Sequence, residues 1–184
     1  MNPETPRKKI TLFPGGFQFV KNYGGYVGVD IWVGEKFTDE LKNADCFIGH
    51  STGASFALRY ATNRTSKFIL VNPPVKKKNI FPLFLNWLKY VFQEGLPSEK
   101  FIPKKYWPYA LRKVLELSKV DFIFAIKDIP KENIVIIRGK KDNFFCDEEA
   151  ARIIRENGIR IIEVDAGHDW NEAIAEAVDE IIHD

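Results

Sequence analysis

The sequence has few of the residues that mark secreted, metal-binding or membrane-spanning proteins. Its two cysteines, Cys46 and Cys146, form no Cys-x-x-Cys pair, so we expect neither a disulfide framework nor a cysteine-based zinc site. Its three histidines lack metal-ligand spacing, so we predict no metal and no other cofactor. No apolar run reaches the ~20 residues of a transmembrane helix, and residues 1–9 lack the apolar core of a secretion signal. We therefore expect a cytoplasmic protein with reduced thiols and no transmembrane segment.

Nucleotide-binding and nucleic-acid-binding signatures are missing as well. Neither G-x-x-x-x-G-K-[ST] nor a G-x-G-x-x-G between a strand and a helix occurs. Charge is uneven: residues 76–131 hold twelve Lys/Arg and five Asp/Glu, whereas residues 142–184 hold three Arg and thirteen Asp/Glu. No nucleic-acid motif surrounds the basic run, so we expect no nucleic-acid partner. The basic segment could attract anionic substrates, acidic partners or lipid head groups, or it could simply form the solvated faces of surface helices.

What the sequence does have is a regular alternation of strand and helix patterns. Six apolar segments are predicted as strands: 9–16, 27–34, 44–51, 66–74, 133–142 and 159–168. Four helices are predicted at 35–43, 52–62, 146–157 and 169–183. Runs such as FILV and IVII are typical of parallel strands buried on both faces. We therefore predict a single α/β domain over residues 1–184, a compact three-layer sandwich of about six mostly parallel strands with helices on both faces.

Residues 75–132 interrupt this alternation after the fourth predicted strand. The segment is basic and aromatic, and we predict two or three helices that break near 94–108. Residues 79–92 are nearly all apolar, which is typical of a helix that is buried or that meets lipid or an apolar ligand. A lid over a pocket, a core element and a homodimer interface remain alternatives at this point.

Polar residues follow the predicted strands, where parallel sheets bind ligands. Ser51 follows the third strand, Asp142 the fifth and His168 the sixth. A serine hydroxyl needs a neighbouring base to become a nucleophile, and an acid can hold the imidazole of that base in the right tautomer. We therefore predict a Ser51–His168–Asp142 catalytic triad. Asp165, three residues before His168, is the rival for the acid, and Asp169 is interpreted as the cap of the last helix.

An acyl-transfer site also needs hydrogen-bond donors for the oxyanion of its tetrahedral intermediate. The backbone N–H of Thr52 is one candidate, and the second comes from Gly16 or Phe17 in the turn PGGF (14–17). Lysines near the interrupting segment would favour an anionic leaving group. The candidate substrate-pocket residues are His50, Phe81, Phe84, Trp87 and Phe144.

Together these motifs resemble the alpha/beta-hydrolase superfamily, and in size the chain is similar to its small single-domain serine hydrolases. The matching pieces are GHSTG with Ser51 at the nucleophile elbow, GKKD with Asp142 and GH with His168, in the order Ser–Asp–His of that fold. PGGF stands where members usually carry a His-Gly turn. Some members place the acid after the fourth strand, but here that position reads NPP (72–74), which favours Asp142. The resemblance also implies that residues 75–132 occupy the place of a cap or lid.

These observations predict a serine hydrolase of the carboxylesterase or thioesterase kind. It would cleave a small-molecule acyl ester or thioester through an acyl-enzyme on Ser51. Two alternatives remain open. One is a non-catalytic module of the same fold that binds a protein partner through the aromatic insertion, and the other is an amidase or peptidase with the same triad.

Overall fold

The structure, a computed structural model, describes residues 8–76, 80–94 and 98–183. Within these ranges, the side chains of residue 40 and of residues 80–84 are not described. The strands are β1 (Ile10–Phe13), β2 (Cys46–His50), β3 (Lys67–Val71), β4 (Ile134–Gly139) and β5 (Arg160–Val164). The helices are α1 (Asp39–Lys42), α2 (Thr52–Tyr60), α3 (Ile80–Glu94), α4 (Trp107–Leu117), α5 (Phe122–Ala125), α6 (Glu148–Glu156) and α7 (Glu172–His183).

The five strands form one parallel sheet in the order β1-β2-β3-β4-β5. Successive strand residues point to opposite faces, so continuously apolar strands feed two cores. Phe47 and Phe68 pack in a cluster with residues of α2 and α6, whereas Ile48 and Ile69 pack in a cluster with residues of α7. Helices therefore cover both faces, as predicted.

The prediction of about six strands is wrong, because residues 27–34 do not form a strand. Gly28 makes an isolated bridge to Leu12 of β1, and the chain then turns into a 3-10 helix at Ile31–Val33. Ile31 and the adjacent Trp32 are buried in the same hydrophobic cluster, whereas successive residues of a strand point to opposite faces of the sheet. Gly28 allows a close approach to β1, since a Cβ at this position would lie 2.4 Å from the carbonyl oxygen of Leu12.

The predicted interruption contains helices α3, α4 and α5 in its described part. The insertion follows β3, which corresponds to the fourth predicted strand, 66–74. Tyr90 of α3 packs on Phe144 and Phe145, so this helix lies against the loop that follows β4. The extent of the domain and the role of the insertion as a lid stay predictions.

Two further observations bear on the sequence-based expectations. Across residues 8–76, 80–94 and 98–183, no helix combines the length and apolarity needed to cross a membrane. Both cysteines are buried and unpaired, and burial raises the pKa of both thiols, that of Cys46 to about 12. These thiols are therefore protonated at neutral pH.

Candidate active site

Ser51 lies on a sharp turn between β2 and α2. Its backbone angles are φ 52° and ψ −123°, a positive-φ conformation that is rare for residues other than glycine. Glycines on both sides allow the turn: a Cβ at Gly49 would lie 2.5 Å from the Cα of Ala54, and one at Gly53 would lie 2.3 Å from the carbonyl oxygen of Phe13. The strand can therefore pass directly into the helix and leave the serine at its tip.

In the predicted triad, His168 lies within hydrogen-bond distance of both Ser51 and Asp142. His168 Nε2 is 2.9 Å from Ser51 Oγ, and His168 Nδ1 is 2.7 Å from Asp142 Oδ2. All three residues are buried. Because the carboxylate accepts from Nδ1–H, the imidazole presents Nε2 to the serine hydroxyl as an acceptor.

Asp142 sits in a pocket of backbone donors. Its Oδ1 accepts from the N–H groups of Phe144 (2.9 Å) and Phe145 (3.1 Å), and its Oδ2 from that of Cys146 (3.0 Å). Burial alone would raise its pKa, but His168 and these backbone donors outweigh burial and lower the pKa to about 2. The side chain of its rival, Asp165, is exposed in an ion pair with Lys141, away from the histidine.

The main chain of His168 is itself held by side chains from three elements. Its carbonyl oxygen accepts from Nε2 of His50 and from Nδ2 of Asn72, each at 2.9 Å. Its N–H donates to Oε1 of Glu94 at 2.7 Å. Sequence reasoning missed the roles of Asn72 and Glu94. For Asn72 one signal was present, because it is the polar residue that directly follows a buried strand.

His50 supports this arrangement as a neutral imidazole. Because a carbonyl oxygen can only accept, His50 Nε2 carries the proton that it donates to His168, and Nδ1 lies 2.8 Å from the hydroxyl of Tyr23. Complete burial, followed by the proximity of His168, lowers the pKa of His50 to about 4. The imidazole is therefore uncharged at neutral pH.

The PGGF turn presents free backbone donors next to Ser51. The N–H of Gln18 donates to the carbonyl oxygen of Gly15 at 3.0 Å, and Phe17 within this turn has φ 62°. Among the described residues, the N–H groups of Gly16, Phe17 and Thr52 donate to no protein acceptor. The choice between Gly16 and Phe17 as an oxyanion donor stays open.

A cavity of about 700 Å³ opens onto Ser51, His168 and the PGGF turn. Its other walls come largely from the insertion: Trp87 and Tyr90 of α3, Trp107, Pro108, Leu111, Val114 and Leu115 of α4, and Lys104. The walls are mostly apolar, so the cavity suits an apolar group placed beside the serine.

The predicted pocket residues have mixed positions. His50 and Trp87 line the cavity, whereas Phe145 lines it in place of its neighbour Phe144. The side chains of Phe81 and Phe84 fall outside the described part of the structure. The interpretation of Asp169 as a helix cap is wrong: Asn171 Oδ1 accepts the N–H of Ile174 at the start of α7.

Asp169 instead accepts hydrogen bonds from three side chains that lie far from it in sequence. Its partners are the side chains of Gln18, Tyr90 and Lys100.

Of the residues described, no group of three or more His, Cys, Asp or Glu side chains is arranged to hold a metal ion.

No protein-family model matches the sequence, and no curated protein matches it. Solved structures, however, resemble the fold. A monoacylglycerol lipase of Paleococcus ferrophilus superposes with a TM-score of 0.55 at 16% identity, over 94% of this chain and 93% of that one. An esterase of Pyrococcus furiosus gives a TM-score of 0.55 at 16% identity, over 96% and 81% of the two chains.

A third similar structure is a thioesterase domain from the curacin biosynthetic pathway. Its TM-score is 0.53 at 13% identity, over 98% of this chain and 92% of that one. The similarities cover 94–98% of this chain and 81–93% of the other three chains, and the fold that they support is that of the alpha/beta hydrolases. The chain therefore has the alpha/beta-hydrolase fold that its GHSTG, GKKD and GH motifs predicted.

Proposed function

We propose that the protein is a serine hydrolase that cleaves carboxylic esters or thioesters through an acyl-enzyme on Ser51. The observation that carries the proposal is the hydrogen-bonded chain Ser51–His168–Asp142 at the floor of an apolar cavity. The positive φ of Ser51 adds support, because backbone strain of this kind costs about 1–3 kcal/mol and is concentrated at functional positions such as active sites.

In the proposed mechanism His168 Nε2 accepts the proton of Ser51 Oγ as the oxygen attacks the acyl carbon. The N–H of Thr52, with that of Gly16 or Phe17, donates to the oxyanion. His168 then gives the proton to the leaving alcohol or thiol as its bond to the acyl carbon breaks. Asp142, whose pKa is about 2, stays ionised and stabilises the imidazolium.

Deacylation repeats these steps with water. His168 takes a proton from the water as its oxygen attacks the acyl carbon. The bond to Ser51 Oγ then breaks, the serine regains its proton from the imidazolium, and the carboxylic acid leaves. No group beyond these residues and water is needed to balance the reaction.

The cavity supports an apolar acyl group of small or medium size as the substrate. Its volume of about 700 Å³ falls within the usual range for small-molecule sites. Lys104 on its wall supports a substrate with an anionic leaving group.

The location we propose is the cytoplasm, because two buried, unpaired thiols suit a reducing compartment.

Hydrolysis of p-nitrophenyl acetate and butyrate tests the proposal. The wild-type protein is expected to turn over both esters, and Ser51→Ala to lose about 10⁴-fold or more in kcat, since loss of the nucleophile removes the triad as a unit. Ser98→Ala, at an exposed serine outside the cavity, is the matched control and should keep full activity. Ester turnover that survives Ser51→Ala, or folded wild-type protein without turnover, would contradict the proposal.

A further inference from the structure

Helix α3 ends on the loop that carries His168. Glu94, its last residue, accepts the N–H of His168 on Oε1 at 2.7 Å and the N–H of Asp169 on Oε2 at 3.1 Å. Two adjacent backbone donors are thus held by one carboxylate, and charge-assisted bonds of this kind are about twice as strong as neutral ones. The same helix contributes Trp87 and Tyr90 to the cavity wall.

Glu94 is poorly placed to stabilise its own helix. The C-terminal end of a helix carries partial negative charge, so an acid in the last turn is unfavourable there. Its side chain instead contacts the loop of His168, which lies 74 residues further along the sequence. The position of the carboxylate therefore favours a role in stabilising this loop rather than the helix.

Gly167 leaves the space that this contact needs. A Cβ at position 167 would lie 2.6 Å from Oε1 of Glu94 and 2.9 Å from Oε2, so any larger residue must displace the carboxylate. The displaced atoms are the end of a flexible side chain, so we expect the carboxylate to move at small cost to folding and its bonds to the loop to weaken. Gly167 thus offers a second and independent way to break the same contact.

Other contacts between the insertion and this loop point the same way. The ring of Tyr90 stands edge-on to the imidazole of His168, with ring centroids 4.8 Å apart, and its hydroxyl donates to Asp169. Lys100 forms an ion pair with Asp169. The element that walls the cavity therefore also holds the loop that carries the base.

We propose that Glu94 is a positioning residue, which holds the His168 main chain and so couples the docking of α3 over the cavity to the geometry of the general base. The proposal rests on the proposed hydrolase function. Glu94 accepts from backbone N–H groups and is not among the described residues that line the cavity, so it acts through His168 and is not a catalytic residue. Together with His50 and Asn72 on the carbonyl side, it fixes the peptide groups on both sides of the imidazole.

The test compares Glu94→Ala, Glu94→Gln, Gly167→Ala and the double variant Glu94→Ala/Gly167→Ala in the full chain. We expect Glu94→Ala to lower kcat for p-nitrophenyl butyrate about 10- to 100-fold with KM little changed, since small misplacement of a catalytic group has effects of this size. Glu94→Gln keeps one acceptor and should fall between wild type and Glu94→Ala. Gln93→Ala, at the exposed neighbour on the same helix, is the matched control and should keep wild-type kcat.

Gly167→Ala should lower kcat like Glu94→Ala, and the double variant should lose little more than either single variant, because both remove one interaction. The proposal would be overturned if the kcat loss of the double variant equalled the product of the losses of the two single variants. A Glu94→Ala variant that keeps wild-type kcat, or one that loses it only in proportion to its fraction unfolded, would also overturn it.

Amide hydrogen exchange of residues 165–170 separates this proposal from the proposed function, because it needs no turnover. We expect faster exchange in Glu94→Ala than in wild type, and no change in Gln93→Ala. Wild-type protein that neither hydrolyses esters nor reacts with a fluorophosphonate would overturn both the function and the positioning role, even with faster exchange. Active wild-type protein with unchanged exchange and kcat in Glu94→Ala would overturn the positioning role alone.

Discussion

At the residue scale, backbone strain gathers at the candidate site. Within the described residues, three that are not glycine have positive φ: Phe17 at 62°, Ser51 at 52° and Asn72 at 44°. Phe17 belongs to the turn with the free N–H groups, Ser51 is the proposed nucleophile, and Asn72 holds the carbonyl oxygen of His168. Strain that recurs at one place is typical of sites where geometry serves function.

The same scale shows why part of the site could be predicted and part could not. Ser51, Asp142 and His168 could be predicted as site residues because each follows an apolar strand in a recognisable motif. Glu94 could not be identified in this way, because its partners lie far away in sequence and its own surroundings are an ordinary helix end. Asp169 was misassigned because a cap and a tertiary acceptor look alike in sequence.

His50 yields a prediction for pH dependence. Its ordinary pKa of 6.5 falls to about 4 in the folded protein, so between these values the unfolded chain binds a proton that the folded one does not. Stability is therefore fully present above about pH 6.5 and falls as the pH is lowered towards 4, by about 3 kcal/mol from this group. We expect this part of the fall to be missing in His50→Gln, as measured by urea unfolding at several pH values.

The matched control for this measurement is His183→Gln, at an exposed histidine near the end of α7. Its unfolding free energy should follow the wild-type pH profile. If the profiles of His50→Gln and wild type run parallel from pH 7 to 4, His50 is not held neutral in the folded state.

At the element scale, residues of α3 and α4 form much of the cavity wall beside Ser51. Truncation of Trp87 on the cavity wall should enlarge the cavity, so that Trp87→Ala shifts the kcat/KM preference towards longer acyl chains in a p-nitrophenyl acetate-to-decanoate series. The expected shift is about 10-fold, the scale of one or two methylenes in an apolar pocket. Phe92→Ala is the control, because Phe92 lies on the same helix but is 80% exposed. An unchanged chain-length profile in Trp87→Ala would remove the acyl-pocket role of α3.

The elements themselves were largely predictable from periodicity. Five of the six predicted strands are present, and the predicted helices 52–62, 146–157 and 169–183 appear as α2, α6 and α7 with shorter ends. The strand predicted at 27–34 is wrong because a short apolar segment is also compatible with one isolated bridge followed by a buried 3-10 turn. In such a short segment, the burial of Trp32 by tertiary contacts outweighs local β-propensity.

At the scale of the whole molecule, the order of the strands explains how distant motifs meet. All five strands are parallel and neighbours in sequence are neighbours in the sheet, so their carboxyl ends lie along one edge. The residues that follow the strands, from PGGF to His168, therefore lie close together at this edge of the sheet. A homodimer through the insertion stays a prediction, which sedimentation at several protein concentrations can address.

The central claim is that Ser51 is an activated nucleophile, and covalent labelling of the intact protein by a fluorophosphonate tests it most directly. Intact-mass and peptide mass spectrometry should find one phosphonyl adduct per chain, on Ser51, that is absent in Ser51→Ala and forms far more slowly in His168→Ala. Folded wild-type protein that carries no adduct, or carries it on a different residue, would contradict the claim.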